Sequence, residues 1–188
     1  MKTLTLFTLI LAIFSVGALA QEGPNLLKNT TFVADNAGVV SNWQLPTYPF
    51  DSNPAVVSKL KWGVQNDGTA RYLGISTKEY TKANVWWEQK LSANGGASYN
   101  VSGKVKGSLG KGSKYGKVKF VVAFLGTNGK WLGAQEICSV DPTEDWQTIK
   151  GKVTTPDDAT TVEMRMGIDF EGEVQLVFDQ PSLIEITK

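Results

Sequence analysis

The 188-residue chain is predicted to be an all-β protein forming one domain. Three observations carry that prediction. Apolar and polar residues alternate along several runs, turn signals separate those runs, and the period of an amphipathic helix is hard to find. Many short strands spaced by turns point to a β-sandwich or a barrel.

In chain order, Met1-Lys2-Thr3 carries one positive charge, Leu4 to Val16 is almost wholly apolar, and Ala18-Leu19-Ala20 ends in a small-x-small pattern. This is the layout of a secretory signal peptide over residues 1–20, leaving a mature domain of residues 21–188. The apolar run is shorter than the ~20 residues that span a bilayer, so no membrane insertion is expected. A short helix fits parts of Ser52 to Lys61. Val85 to Leu91 fits a strand with Val85, Trp87, Gln89 and Leu91 on one face and Trp86, Glu88 and Lys90 on the other. Tyr99 to Lys106 alternates around Gly103, with Tyr99, Val101 and Val105 facing a core. Lys104 to Lys119 carries six lysines among glycines and serines and reads as a solvated hairpin, with capture of an acidic polysaccharide as the alternative. Val118 to Leu125 is continuously apolar, as in a central strand covered on both faces. Val162 to Asp169 and Val174 to Phe178 alternate again. Asn66-Asp67-Gly68, Asn94-Gly95-Gly96, Thr127-Asn128-Gly129 and Pro156-Asp157-Asp158 supply the turns.

Composition narrows the function. Lys+Arg is 19 against 18 Asp+Glu, a net charge of +1, which gives no strong field toward nucleic acid or a membrane surface. The absence of histidine removes Ser-His-Asp and Cys-His nucleophiles and histidine metal sites. The single cysteine, Cys138, removes thiolate clusters and internal disulfides, and reads as a small buried hydrophobe. A glycosidase needs two carboxylates roughly 5 to 9.5 Å apart across a cleft. No recognisable catalytic signature is present, so the chain is not expected to be an enzyme.

Several motifs then share an order. Asn25-Leu26-Leu27-Lys28-Asn29-Thr30-Thr31-Phe32 with Asn42-Trp43 resembles the opening of carbohydrate-binding modules of the cellulose- and xylan-binding group. Gln89-Lys90-Leu91 with Ala97 to Gly107, Asp145-Trp146-Gln147 running to Pro156, and Phe178-Asp179-Gln180-Pro181-Ser182-Leu183 are similar to that group's later strands. The resemblance implies a jelly-roll β-sandwich of two antiparallel sheets, similar to galactose-binding domains. It also implies a secreted (or periplasmic) module that binds a polysaccharide or oligosaccharide, a β-glycan, without chemistry. The same fold also serves extracellular structural or protein-interaction modules, whose partners would be other secreted or cell-surface proteins. Val33 and Gln180 replace carboxylates that in the group lie near a structural Ca2+, leaving Asp179 as the implied metal ligand.

Sugar recognition combines aromatic platforms for pyranose C–H faces with planar hydrogen-bonding side chains. Trp86, flanked on its face by Glu88 and Lys90, is either such a platform or a ring covered by a neighbouring segment. Trp62 and Trp131 lie beside turn-like glycines, where a ligand role and a packing role both fit. Tyr80 falls in the polar loop before Trp86. Arg165 faces outward with Glu163 and Asp169, as a sugar ligand by resemblance or as a surface salt bridge. Gln89 aligns with a glutamine of the group but has core parity. Trp43, Trp87 and Trp146 are assigned to packing.

Overall fold

The computed structural model describes residues 22–45 and 58–187. The expected signal peptide lies outside them, as does most of Ser52–Lys61, whose described end is a turn at 58–59 leading into a strand. The strands of the described residues are β1 (Glu22–Asn25), β2 (Lys61–Asp67), β3 (Ala70–Ser92), β4 (Ser98–Leu109), β5 (Tyr115–Leu125), β6 (Trp131–Val140), β7 (Gln147–Thr154) and β8 (Thr161–Ile186). A single 3-10 turn, Thr127–Gly129, joins β5 to β6.

Two long strands organise the molecule. β3 and β8 pair antiparallel along most of their lengths, with one irregularity between Thr77 and Thr81. On one side of it lies a first half-sheet in the order β2-β3-β8-β4-β7, with β1 on the end of β8. On the other side, β3, β8, β5 and β6 form a second half-sheet. The two halves fold face to face: the Trp87 indole N–H donates to the Gly74 carbonyl at 3.2 Å, and Phe120 meets Phe178 with ring centroids 6.0 Å apart. The two expected sheets are therefore halves of one hydrogen-bonded sheet bent over its own core.

Alternation decides what fills that core. Leu73, Ile75, Val105, Leu176 and Phe178 face Val85, Trp87, Val118, Phe120, Val122, Met164, Met166 and Ile168, all buried. Each such side chain stabilises the fold by about 1.5–3 kcal/mol through removal from water. The N-terminal motif has a packing reason. Asn25 donates to the Pro181 carbonyl and accepts from the Leu183 N–H, pinning the first residues to the end of β8. Trp43 packs edge-on to Phe32 and donates to the Lys28 carbonyl, closing the next loop.

Three of the four turn signals fall between strands; of Asn66-Asp67-Gly68 only Gly68 does, Asn66 and Asp67 ending β2. Three other expectations change. Lys104 to Lys119 is not a hairpin, because β4 and β5 do not pair with each other and each lies against β8. Lys104 and Lys106 thus lie on the outer face of one half and Lys117 and Lys119 on that of the other, with Lys111 and Lys114 in the connection. Trp146 is not a core residue; at 36% exposure it lies on the outer side of the first half-sheet, beside Tyr72. Tyr80 belongs to the irregular stretch of β3 rather than to a loop.

Candidate functional site

The outward face of the second half-sheet gathers most of the candidate residues. Register puts Trp86 opposite Gly167, Glu88 opposite Arg165, and Lys90 opposite Glu163. The strand parity read from Val85 to Leu91 holds without a bulge from Thr81 to Ser92. Gly167 has a local purpose. A Cβ there would fall on the Val85 carbonyl oxygen and lie 2.5 Å from Trp86 Cα, so only glycine lets Trp86 sit over β8.

Arg165 is the centre of the arrangement. Its guanidinium carbon lies 5.1 Å from the Trp86 ring centroid and 5.7 Å from that of Trp131, which reaches over from the start of β6. The guanidinium donates to Glu163 Oε2, and Nε is 3.4 Å from Glu88 Oε2. Lys90 closes the network from the solvent side, with Nζ 2.9 Å from Glu163 Oε1 and 3.8 Å from Glu88 Oε1. Glu88, Glu163 and Arg165 are buried at 3%, 2% and 7% exposure. The outward-facing parity was right, but the charges are not solvated. A buried charge is tolerated only when paired, and two acids against two bases leave this cluster neutral.

Burial, and next the neighbouring Glu163, push the Glu88 carboxyl above its ordinary range. Arg165, Lys90 and the Trp86 indole pull it partly back. Both carboxylates are committed to Arg165. They brace a guanidinium that holds two tryptophans from different strands in a fixed relation, a preorganised aromatic and polar surface.

The two rings differ. Trp86 is half-buried and covered in part by Arg165, whereas Trp131 is 54% exposed. Of the two readings of Trp86, the geometry keeps part of each, and Trp131 presents the more open platform. Backbone hydrogen bonds of 2.9 and 2.8 Å between Gln44 and Glu88 extend this face beyond β3.

The remaining candidates lie elsewhere. Gln89 is buried on the core face, where its amide accepts from the Lys28 N–H at 2.6 Å and donates to the Lys28 carbonyl at 2.9 Å. It clamps the N-terminal segment, so its core parity decides its role and it does not face outward to a sugar, as its alignment with the group's glutamine had implied. Tyr80 stands at the far end of the same half-sheet, its hydroxyl donating to Glu171 at 2.8 Å. Lys114 first, and Tyr80 next, hold the Glu171 carboxyl below its usual range. Trp62 pairs with Ile75 on the edge strand β2 of the first half-sheet, away from Arg165. Asp179 accepts from the Gln180 N–H at 2.8 Å, in a concavity that Arg71 also lines. Among the described residues no group of three or more acidic or thiol side chains surrounds it. Asp179 is the one carboxylate lining that concavity, with Asn25, Thr30, Thr31, Gln180 and Ser182 beside it. Cys138, expected to be buried, is only partly so, packed against the core's margin, and that burial raises its thiol.

Sequence reasoning left Glu163 out of the site, although its parity with Arg165 was an available signal. It also missed Gln44, for which no local pattern exists.

No protein-family model matches the chain, and none of the curated proteins does. Solved structures do. The CBM22-1 xylan-binding domain from Paenibacillus barcinonensis is similar with a TM-score of 0.59 at 16% identity, over 90% of this chain and 99% of that one. A CBM4 structure gives a TM-score of 0.57 at 22% identity, covering 84% of this chain and 98% of the other. The CBM22-1-GH10 modules of a Clostridium thermocellum xylanase, complexed with xylohexaose, give 0.58 at 15% identity over 87% of this chain. This chain spans only 29% of that last structure's length. At such identities the likeness is one of fold, and the bent, doubled sheet of this chain is the jelly-roll β-sandwich found in carbohydrate-binding modules.

Proposed function

We propose that the chain is an exported, non-catalytic glycan-binding module. A sugar ring stacks on Trp131, and Trp86, held in place by Arg165, supplies the adjoining aromatic surface. The observation that carries this reading is the pair of tryptophans fixed on one buried, doubly ion-paired arginine. Rings held in place before binding lose little entropy when a ligand arrives. The likeness to modules whose structures are described as xylan-binding or complexed with xylohexaose supports a β-glycan as the ligand class. Export rests on the Met1–Ala20 pattern. The absence of chemistry rests on both site carboxylates being committed to Arg165.

The test is affinity electrophoresis on xylan, β-glucan and mannan gels. Trp131→Ala should weaken retention on the preferred polymer at least ten-fold, with Tm within about 2 °C of the parent. Parent protein that runs unretarded on every gel would sink the function. Sustained release of reducing sugar by pure protein would sink its non-catalytic character. Unchanged retention of the variant would move the site elsewhere.

A further inference from the structure

The outward face of the first half-sheet, on the opposite side of the sandwich, carries a second set of aromatic and polar groups. Tyr72 of β3 and Trp146, just before β7, stand with ring centroids 5.3 Å apart, tilted by 55°. Lys106 of β4 places Nζ 5.9 Å from the Tyr72 centroid and 5.0 Å from that of Trp146. Below them opens a cavity of about 270 Å3, with Gln65, Asn66, Asp67 and Glu144 among its walls. Gln65, one of its walls, packs over Gly74, where a Cβ would lie 2.7 Å from the Gln65 Cδ.

Ser108 and Gln175 line this cavity and also a neighbouring one of about 540 Å3, bordered by Lys59, Lys61, Lys78, Glu79 and Glu173. The two form one trough, with aromatic rings at one end and hydroxyls, amides and flexible charges along the rest. Its size falls within the roughly 300–1,000 Å3 of small-ligand sites. Its lining sets four lysines (Lys59, Lys61, Lys78, Lys106) against four carboxylates (Asp67, Glu79, Glu144, Glu173). A polyanion would meet as many repelling as attracting groups, and so would a polycation. A neutral chain rich in hydroxyls meets alternating donors and acceptors.

We propose that this trough is a second glycan-binding site, taking a neutral oligosaccharide with one ring against Tyr72 and Trp146 and the chain passing Ser108 and Gln175. Its ligand class rests on the glycan-binding reading above, whereas its location does not. Two sites on opposite faces let one module bridge two polysaccharide strands. Avidity would then exceed the affinity of either site.

The experiment is a 1H–15N titration of the labelled protein with xylohexaose, cellohexaose and mannohexaose in turn, following the indole N–H signals. Trp86 and Trp131 report one face, Trp146 reports the other, and buried Trp87 is the control. The Trp146 signal should shift to saturation with at least one sugar. In Trp131→Ala that shift should persist with an unchanged midpoint. In Trp146→Ala the Trp131 response should persist, and the binding stoichiometry by calorimetry should fall from two to one. If Trp146→Ala lowers Tm by more than about 5 °C, Tyr72→Ala replaces it, with at least a ten-fold loss at Trp146 expected. Movement of Trp86 and Trp131 with Trp146 unmoved overturns the second site and leaves the glycan reading standing. Movement of Trp146 alone keeps the second site and removes the first. No movement at any indole with all three sugars overturns both.

Discussion

Two cations lie against pairs of aromatic rings on opposite faces of this sandwich, and their surroundings differ. Arg165, between Trp86 and Trp131, is 7% exposed and ion-paired to Glu88 and Glu163, themselves buried. Lys106, between Tyr72 and Trp146, lies on a strand edge of an open trough. A guanidinium offers five donors in a planar fork, so it can serve two carboxylates while its faces meet aromatic rings. An ammonium is a mobile point charge that does one of these at a time. The first arrangement is held by paired charges buried away from solvent. The second is held by contacts of about 0.5–1 kcal/mol each, typical of exposed cation–π pairs. Similar composition thus yields a fixed surface on one face and an adaptable one on the other.

Removing each cation separates the two most strongly. Arg165→Ala leaves two buried carboxylates facing Lys90, with the Trp86 indole on Glu88, and loss of one partner of a buried ion pair costs about 3–5 kcal/mol. Lys106→Ala should cost about 1 kcal/mol or less. Urea denaturation of both variants measures the gap, and equal losses would abolish the distinction. Glycine substitutions extend the same contrast. At Gly167 a Cβ collides with the Val85 carbonyl and Trp86 Cα, backbone atoms that cannot yield without shifting a strand. Gly167→Ala should therefore cost about 1–3 kcal/mol, as overpacking does, and quench or shift Trp86 fluorescence. At Gly74 the nearest obstacle is the Gln65 side chain, which can swing away. Gly74→Ala should lie within about 1 kcal/mol of the parent, and its effect should appear as weakened ligand binding in the trough.

How much of this was legible in the sequence follows from the range of the interactions. Strand parity is local, so the faces of Trp86, Trp87, Glu88 and Arg165 could be read from alternation, and the four turns from their residues. Burial is not local. Arg165 reads as a surface residue until Trp131, more than thirty positions away in sequence, closes over it. The error at Trp146 has the opposite cause. Its resemblance to a packing tryptophan ranked above its local setting, where Glu144, Asp145 and Gln147 already suggested an exposed ring. Pairing partners also lay out of reach. Nothing in Lys104 to Lys119 tells that its two strands flank β8 rather than each other, because β8 follows some forty residues later.

The smallest contrast concerns protons. Glu88 has a native pKa above the ordinary 4.5, owing first to burial and then to Glu163. A carboxyl of this kind is protonated more fully in the folded state than in the unfolded one between those two values. Stability contributed by it is therefore present below 4.5 and lost as pH rises through the native value. Glu88→Gln removes that titration and should flatten the fall in unfolding free energy across this window. Lys106→Ala, which leaves the buried cluster untouched, should keep the parent slope. Chemical denaturation at closely spaced pH values measures both slopes. A Glu88→Gln profile that still parallels the parent would mean that Arg165 and Lys90 hold the carboxylate ionised throughout. The rigid face would then owe its order to full ion pairing rather than to a shared balance of burial and charge.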